Sequence, residues 1–370
     1  MPEPTPAPAE RPEPPRKRAP VRLAFVGDIN LGTLTVPEGV PPDAGTGWLD
    51  AARGARRGDR IVGTFEGVLG DSGTTYKCGA KGRSVTLADT APPKPAPVQP
   101  RRRRRVEPPR TCYAFLTPTA LAPRLRDGGF TPLNLANNHA NDFGSDARVG
   151  TERLLDSLGL ETYGPLGRIA VDSVRSGDSL TIVGLLGFAT YPYAYDLLDI
   201  PRSAAVVDSI RPLVDLLLVT FHGGAEGSRA LHVPEAAESL AREPRGDLRT
   251  WARAVIDAGA DAVVGHGPHV LRGIEFYRDK PIVYSLGNFL TYRGFNLEGP
   301  LGITGVLHLE AGPDRSWTRL RFVPMLQVPG RGPAPDPDRA ALDLIRTLSR
   351  EDFGESAARV GDDGEILPPE

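Results

Sequence analysis

A chain of 370 residues with 40% apolar and 24% charged side chains is long enough to bury one large α/β core or two ordinary ones. Its formal net charge of −2 excludes a strong overall attraction to nucleic acid or to an anionic membrane, so any such affinity has to be local. No run approaches the roughly 18 uninterrupted apolar residues of a membrane span, and the N-terminus lacks the apolar segment of a secretion signal, so neither is predicted in this chain.

The first twenty residues contain eight prolines. Such a composition buries too little surface to order itself and favours extended, solvated backbone. We therefore expect residues 1–20 to form a disordered tail. The same stretch would also serve as a tether left behind after removal of a leader.

From residue 21 onward, short apolar runs alternate with longer stretches of helical periodicity. The predicted strands are VRLAFVGD, RIVGTFEG, FTPLNLANNH, SLTIVGLLGFA, VDLLLVTFHGG, DAVVGHGPH and PIVYSLGNF. The clearest predicted helices are TPTALAPRLRDGG, DARVGTERLLDSLGL and LRTWARAVIDAGA. Strands separated by helices indicate parallel βαβ units covered by helices on both faces.

An insertion at about residues 71–110 interrupts this pattern, because it joins a proline-rich piece to five arginines, Arg101–Arg105. It is predicted to be exposed and mobile. The arginines are typical of a solvated linker, and an anionic polymer is the alternative role; no base-reading motif accompanies them. Cys78 and Cys112 bracket the segment, so they suit either a loop-closing disulfide or two reduced thiols.

The C-terminal part changes character. The runs GITGVLHLEA and SWTRLRFVPMLQV predict a β-hairpin that completes a domain over residues 21–330. Residues 331–370 are predicted to hold one helix, DRAALDLIRTLSRE, and an acidic, frayed end.

Polar side chains collect where the predicted strands end, which is where open α/β sheets carry their chemistry. Four of the six histidines occupy such positions. The strand-end residues are Asp28, Glu66, Asn138, His139, His222, His266 and His269. Carboxylate, imidazole and amide groups together favour Mn, Fe or Zn, and so many ligands suggest two divalent ions roughly 3.5–4 Å apart.

In chain order, VRLAFVGDINLG, FEG, LANNHANDFG, FHGGAEG, GHGPHV and PIVYSLGNF resemble the CapA-type poly-γ-glutamate capsule biosynthesis proteins. The resemblance covers roughly residues 21–330. That family is similar in fold to the calcineurin-like metallophosphoesterases, so the resemblance implies a single-domain four-layer α/β/β/α sandwich.

The resemblance also implies a role for each matching residue. Asp28 and His269 would bind the first metal ion, and Glu66 would bridge the two ions. Asn138, His222 and His266 would bind the second ion. His139 would donate a proton to the leaving group, and Asp142 would orient it.

Two positions depart from the pattern of the superfamily. Asn30 stands where the superfamily commonly has histidine, so it would be at most a weak ligand of the first ion. The Gly-His-x-x-His spacing displaces His269 by one residue.

The implied function is metal-dependent hydrolysis of a phosphoester or a related anionic bond in capsule or poly-γ-glutamate synthesis or export. The implied partners are an anionic substrate or polymer and the proteins of capsule synthesis and export, outside the cytoplasm at the cell envelope. The alternative is a non-catalytic accessory protein that binds an anionic polymer. A nucleic-acid hydrolase gripping its substrate with Arg101–Arg105 is a third, weaker alternative.

Several neighbouring residues carry less specific signals. Asn137 and Asn141 suit turns, Glu226 suits either orientation of His222 or a solvated loop, and His232 and His308 suit ordinary surface or strand positions. Two residues are expected to support the site through hydrogen bonds: Ser285 and Asn288.

Overall fold

The computed structural model describes residues 17–77, 79, 81–87 and 113–370. The predicted disulfide and the arginine run lie outside the described residues, as do the first sixteen residues of the predicted tail. Residues 17–20 lie along the second sheet, where the Leu180 N–H donates to the Lys17 carbonyl at 2.9 Å and the Thr181 hydroxyl to the Ala19 carbonyl at 2.7 Å.

The described residues form short and long strands and helices of at most 14 residues. The helices are α1 Pro123–Asp127, α2 Gly144–Ser157, α3 Ile200–Ile210, α4 Leu248–Asp257 and α5 Ala340–Phe353. The strands are β1 Val21–Asn30, β2 Arg60–Phe65, β3 Val68–Leu69, β4 Ser72–Thr75, β5 Arg83–Thr86, β6 Leu116–Thr117, β7 Leu133–Asn134, β8 Thr162–Tyr163, β9 Ala170–Ser176, β10 Ser179–Ala189, β11 Tyr195–Asp196, β12 Leu216–His222, β13 Glu238–Leu240, β14 Glu243–Gly246, β15 Ala262–His266, β16 Ile274–Tyr277, β17 Lys280–Val283, β18 Asn288–Thr291, β19 Ile303–Ala311, β20 Trp317–Val328, β21 Gly332–Pro335, β22 Arg359–Val360 and β23 Ile366–Leu367. Among these helices, none combines the length and the apolar character needed to cross a membrane.

Two large mixed sheets organise the domain. The first has the order β21-β20-β19-β1-β2-β7-β8, with β18 also paired to β1. The second has the order β11-β10-β12-β15-β17-β16, with β9 paired to β10. The central pairs of both sheets are parallel, as the alternation of strands and helices predicted.

The two sheets pack face to face between outer layers of helix. Alternation along β1 sends Leu23 and Phe25 into the core between the sheets, and Ala24 and Val26 toward the outer face. That outer face packs against the apolar sides of α1 and α2, while α3 and α4 cover the outer face of the second sheet. The four-layer α/β/β/α fold, the metallophosphoesterase-like arrangement implied by the resemblance, is therefore confirmed.

The run PIVYSLGNF, predicted as one strand, forms two strands in different sheets. β17 ends at Val283 in the second sheet, and β18 begins at Asn288 beside β1 in the first. The chain crosses between the sheets at residues 284–287, where Gly287 has φ +62°. Gly27 permits this crossing, because a Cβ there would lie 2.1 Å from the Gly287 carbonyl oxygen.

The acidic C-terminal end, predicted to fray, is ordered. β22 and β23 pair with each other, and Val360 and Ile366 are buried in the core between the sheets together with Leu342 and Ile345 of α5. Isolated apolar residues among acidic ones give little periodic signal, so the sequence pattern did not reveal this packing.

Candidate metal centre

The first sheet contributes two carboxylates and a loop to one edge. Asp28 lies near the end of β1, and Glu66 directly follows β2, its parallel neighbour. Asn138 and His139 lie in the loop after β7, which pairs in parallel with β2. The carboxyl ends of adjacent parallel strands meet at one edge, and this topology brings the four residues together.

The second sheet contributes three histidines to the same place. His222 ends β12 and His266 ends β15, and the two residues are direct partners in the parallel ladder. His269 follows in a tight loop that contains Gly267 at φ +113°. A Cβ on Gly267 would lie 2.7 Å from the Gly223 carbonyl oxygen, so glycine allows the loops after β12 and β15 to approach each other closely.

Asp28 is surrounded by imidazoles. Its Oδ1 lies 3.3 Å from the Nδ1 of His266 and 3.9 Å from the Nδ1 of His222, and its Oδ2 lies 3.2 Å from the Nδ1 of His269. His269 has a left-handed backbone, with φ +61°. The longer Gly-His-x-x-His spacing therefore still brings this side chain to Asp28.

Glu66 is the second centre of the cluster. Its Oε1 lies 3.7 Å from the Nε2 of His269, 3.9 Å from the Nε2 of His222 and 3.7 Å from the Nε2 of His139. Asp28, Glu66 and His269 can each offer one ligand atom with all three atoms within 4.8 Å of one another. His222 and His269 thus lie close to both carboxylates.

The cluster is buried and lacks internal hydrogen bonds. Asp28, Glu66 and His222 have no exposed surface. Within the described part of the chain, neither carboxylate oxygen of Asp28 or Glu66 has a hydrogen-bond partner, and neither ring nitrogen of His222 has one. Other buried atoms here share this property: His266 Nδ1, His269 Nδ1, Asn138 Oδ1 and Asn288 Oδ1. Buried polar atoms without partners are costly. These oxygen and nitrogen atoms are also the donors that Mn, Fe and Zn bind, so the residues fit a metal centre.

The electrostatics of the cluster are those of crowded, desolvated charges. Burial raises the pKa of Glu66 to about 8 and holds the pKa of His222 well below its usual range. For Asp28 and His269, burial is outweighed by their neighbours. The nearby histidines lower the pKa of Asp28, and the Glu66 and Asp28 carboxylates raise the pKa of His269.

Asn30, predicted as a weak ligand, lies beside this cluster with its amide engaged by backbone. Its Nδ2 donates to the Glu66 carbonyl at 2.7 Å, and its Oδ1 accepts from the Gly32 N–H at 3.0 Å. Asn288, expected to support the site, donates to the His269 carbonyl at 3.3 Å. The Asn30 amide thus holds the Glu66 backbone, and the Asn288 amide holds the His269 backbone.

His139 and Asp142 form the contact that the resemblance implies. The Nδ1 of His139 lies 2.6 Å from the Oδ2 of Asp142, which also accepts from the Phe115 N–H at 2.8 Å. Burial lowers the pKa of His139 to about 4, against the opposing effect of Asp142. Lys77 donates to the Oδ1 of Asp142 at 2.7 Å. No sequence pattern marked Lys77, because it lies between β4 and β5 in the segment that was predicted to be a mobile insertion.

Glu226 lies beside His269. Its Oε2 is 3.8 Å from the Nε2 of His269, its Oε1 accepts from the Asn138 amide at 3.3 Å, and Oε1 also pairs with the fully buried Arg245. The Nη1 of Arg245 donates to the Tyr191 hydroxyl at 2.9 Å. No pattern in the sequence marked Arg245, whose position depends on the short β13–β14 hairpin.

A cleft of about 530 Å³ opens over the cluster. Polar side chains that line it include Lys77, His139, Glu226 and His269. The aromatic and aliphatic residues in its lining are Tyr113, Phe115, Tyr191, Leu240, Phe295 and Leu301. An extended ligand can therefore reach the cluster from solvent.

Within this fold, the arrangement of carboxylates, asparagine and histidines defines a metallophosphoesterase-like protein with a candidate metal site. Residues 101–293, just over half of the chain, match the family described as bacterial capsule synthesis protein PGA_cap. The chain belongs to this family.

Individual relatives agree with the family match. The PGA biosynthesis protein CapA of Bacillus subtilis is 31% identical over 185 residues, which are 46% of this chain and 45% of that protein. The capsule biosynthesis protein CapA of Bacillus anthracis is 29% identical over 187 residues, covering 46% of this chain and 42% of that protein. The chain thus spans less than half the length of these relatives.

Among solved structures, a putative 5′-nucleotidase from Staphylococcus aureus is 13% identical with a TM-score of 0.46, covering 89% of this chain and 58% of that one.

Proposed function

We propose that this chain is a metal-dependent hydrolase that cleaves a phosphoester or a related anionic bond in capsule or poly-γ-glutamate synthesis. The observation that carries the proposal is the convergence of buried carboxylate, amide and imidazole atoms that have no hydrogen-bond partner among the described residues. Such a cluster is expected to fold around a ligand that satisfies these atoms. Divalent cations suit it, since the donors are oxygen and nitrogen with no thiolate.

The proposed ligand set is the one that the resemblance to the CapA-type proteins implies. Asp28, Glu66 and His269 would hold one ion, and Glu66 would share the second with Asn138, His222 and His266. Bound ions would neutralise the charge of an anionic substrate and lower the pKa of a water molecule. The amide of Asn30 is taken by backbone contacts, so we assign it to fixing the Glu66 backbone.

His139 is proposed to move the proton of the reaction. Its Nδ1–H can donate to Asp142, which leaves Nε2 facing the Glu66 side of the cluster. The low pKa of His139 keeps the imidazole neutral at pH 7 in the free protein. An anionic substrate beside it favours the protonated form, so the proton is available to the leaving group only when substrate is present.

The substrate class and cellular role rest on the family. An anionic polymer such as poly-γ-glutamate, or a phosphoester related to its synthesis, fits the family description, and the Lys77 side chain lines the cleft beside His139. We propose that the protein acts at the cell envelope together with other capsule synthesis or export proteins.

Metal analysis paired with Mn-dependent hydrolysis of bis(p-nitrophenyl) phosphate tests the proposal. The purified protein is expected to bind two ions. His139→Ala should keep them while losing turnover by roughly 10²–10⁴-fold, because it removes a proton donor and no ligand. The double variant Asp28→Ala, His266→Ala should lose both the ions and the turnover.

The accessory function remains the second candidate, favoured by Asn30 at a position where the superfamily commonly has a histidine ligand. A wild-type protein that binds no metal, or that turns over no faster than the double variant, would replace the hydrolase proposal by this one. Retained binding of poly-γ-glutamate in that case would identify the accessory role directly.

A further inference from the structure

A second concave surface lies at the opposite end of β1. It is a groove of about 770 Å³ on the outer face of the first sheet, built on β1, β19 and β20 and walled by residues 51–58. Arg22 in the groove and Asp28 in the cluster are six residues apart, or about 20 Å along an extended strand. The groove is therefore separate from the cleft over the metal cluster.

The groove is strongly cationic. Four arginines line it against a single carboxylate, that of Glu310: Arg22, Arg57, Arg319 and Arg321. Arg22 pairs with Asp59 at 3.1 Å, and Arg321 donates to the Asp363 carbonyl at 3.2 Å. Arg57 and Arg319 are exposed and have no side-chain partner among the described residues.

Strand register sets the order of these charges. Arg22, Glu310 and Arg319 are direct neighbours across β1, β19 and β20, which places one carboxylate between two guanidinium groups. Arg321 is two residues along β20 from Arg319 and so projects from the same face. Neighbouring strands lie about 4.8 Å apart, so the cationic groups form a closely spaced array across the sheet.

Elsewhere this outer face is apolar and packs against α1, α2 and residues 44–55. The groove is the part of the face where arginines reach the surface. Repulsion between like charges at neighbouring positions slightly lowers the stability of the folded state, and exposed arginines gain little packing that would compensate for it. A bound polyanion would offset that cost.

We propose that this groove is a second binding site for an anionic polymer, a polyamide that carries carboxylates along its length. The arginines match the carboxylates, and the Glu310 carboxylate can accept from the amide N–H groups, which a phosphodiester backbone lacks. No Phe, Tyr or Trp side chain of the described residues lines the groove, and this disfavours base stacking. The identity of the polymer as poly-γ-glutamate rests on the proposed function, whereas the polyanion site does not.

Binding of fluorescent poly-γ-glutamate to the purified full chain tests this site. All variants are made in a background in which Arg101–Arg105 are replaced by serine, so that this run does not mask the groove. Arg57→Glu combined with Arg319→Glu should weaken polymer binding about tenfold or more. Added salt should lower the polymer affinity of the parent protein more steeply than that of the variant. Arg175→Glu combined with Arg202→Glu is the matched control, because it makes the same charge change on exposed residues away from the groove.

Failure of this site and failure of the hydrolase proposal give different results. Asp28→Ala combined with His266→Ala should abolish metal binding and leave groove binding intact, and the groove variant should retain metal content and turnover of bis(p-nitrophenyl) phosphate. If the groove variant and the control variant bound the polymer with equal affinity, the proposed binding site in the groove would be wrong. Competition by single-stranded DNA or by anionic phospholipid vesicles as strong as that by poly-γ-glutamate would overturn the assignment to a polycarboxylate.

Discussion

The two ends of β1 place charged side chains in opposite environments, one buried and one exposed. At its carboxyl end, Asp28 is fully buried among imidazoles with no hydrogen-bond partner in the described chain. At its amino end, Arg22 lies on an open face with other arginines. Buried charge requires a ligand that satisfies it almost completely, while exposed charge is screened by water and salt and needs only weak compensation. We therefore expect large effects at the first end and small ones at the second.

The largest stability effect is expected from Arg245, which is buried behind the cluster. Arg245→Met leaves the Glu226 carboxylate without its cation, and breaking a buried pair in this way should lower the free energy of unfolding by about 3 kcal/mol. Urea unfolding of the metal-free proteins measures the change. Adding Glu226→Gln should recover part of the loss, because the unpaired charge is then removed as well.

The matched control is Arg359→Met, at an exposed pair with Glu370. It should lower the free energy of unfolding by less than about 0.5 kcal/mol, as exposed ion pairs generally do. Equal losses in the two arginine variants would mean that the pair of Arg245 and Glu226 behaves as a surface pair.

Metal affinity should depend on pH. Because burial raises the pKa of Glu66 from 4.5 to about 8, the metal-free protein holds a proton there at pH 7. Metal binding must release this proton and any proton on His269, whose pKa is raised as well, so Mn affinity should increase from pH 6 to pH 8 by about tenfold or more per unit and level off once both groups are deprotonated. The same proton stabilises the metal-free fold at low pH, and that contribution is lost as the pH rises from 4.5 to about 8.

Competition titrations with a chelator of known affinity at each pH measure this dependence. His139→Ala should show the same slope as wild type, since His139 is proposed to bind no metal. An affinity that stays constant between pH 6 and pH 8 would contradict protonation of Glu66 in the metal-free protein.

Lys77 is expected to act on His139 both directly and through Asp142, because its Nζ lies 3.3 Å from the Nδ1 of His139 and donates to the Oδ1 of Asp142. Lys77→Met removes the 2.7 Å contact that helps hold the Asp142 carboxylate, so kcat should fall by about tenfold while metal content stays at the wild-type value. The pH profile of kcat should shift as well, because the charge near His139 changes. Lys81→Met, at an exposed lysine before β5, is the control and should leave both unchanged. A fall in metal content with Lys77→Met would assign this lysine to the metal cluster.

The sequence predicted the parts of the molecule that repeat a local pattern. β1, β10 and β20 are long apolar or alternating runs, and Asp28, His222 and His266 lie toward the ends of such runs. An α/β fold and a group of polar side chains at the strand ends could therefore be inferred from the pattern, whereas the four-layer arrangement and the ligand set were implied by the family resemblance. The sheet crossing after Val283 could not, because one apolar run gives no sign that its two halves belong to different sheets. Lys77 and Arg245 were also missed, because each reaches the site from a short hairpin whose placement depends on long-range contacts.

The smallest change in the free energy of unfolding should come from the exposed end of β1. Its sign should be opposite to that of the change at the buried end. Arg57 lies among other cations with no side-chain partner in the described residues, so Arg57→Gln should leave the free energy of unfolding unchanged or raise it by a few tenths of a kcal/mol. Urea unfolding at low and high salt measures this, with Arg175→Gln as the control. The gain should vanish at high salt, where the repulsion is screened in the parent protein too. A loss above about 1 kcal/mol would mean that Arg57 supports the fold, and the groove would then need no polymer to explain its arginines.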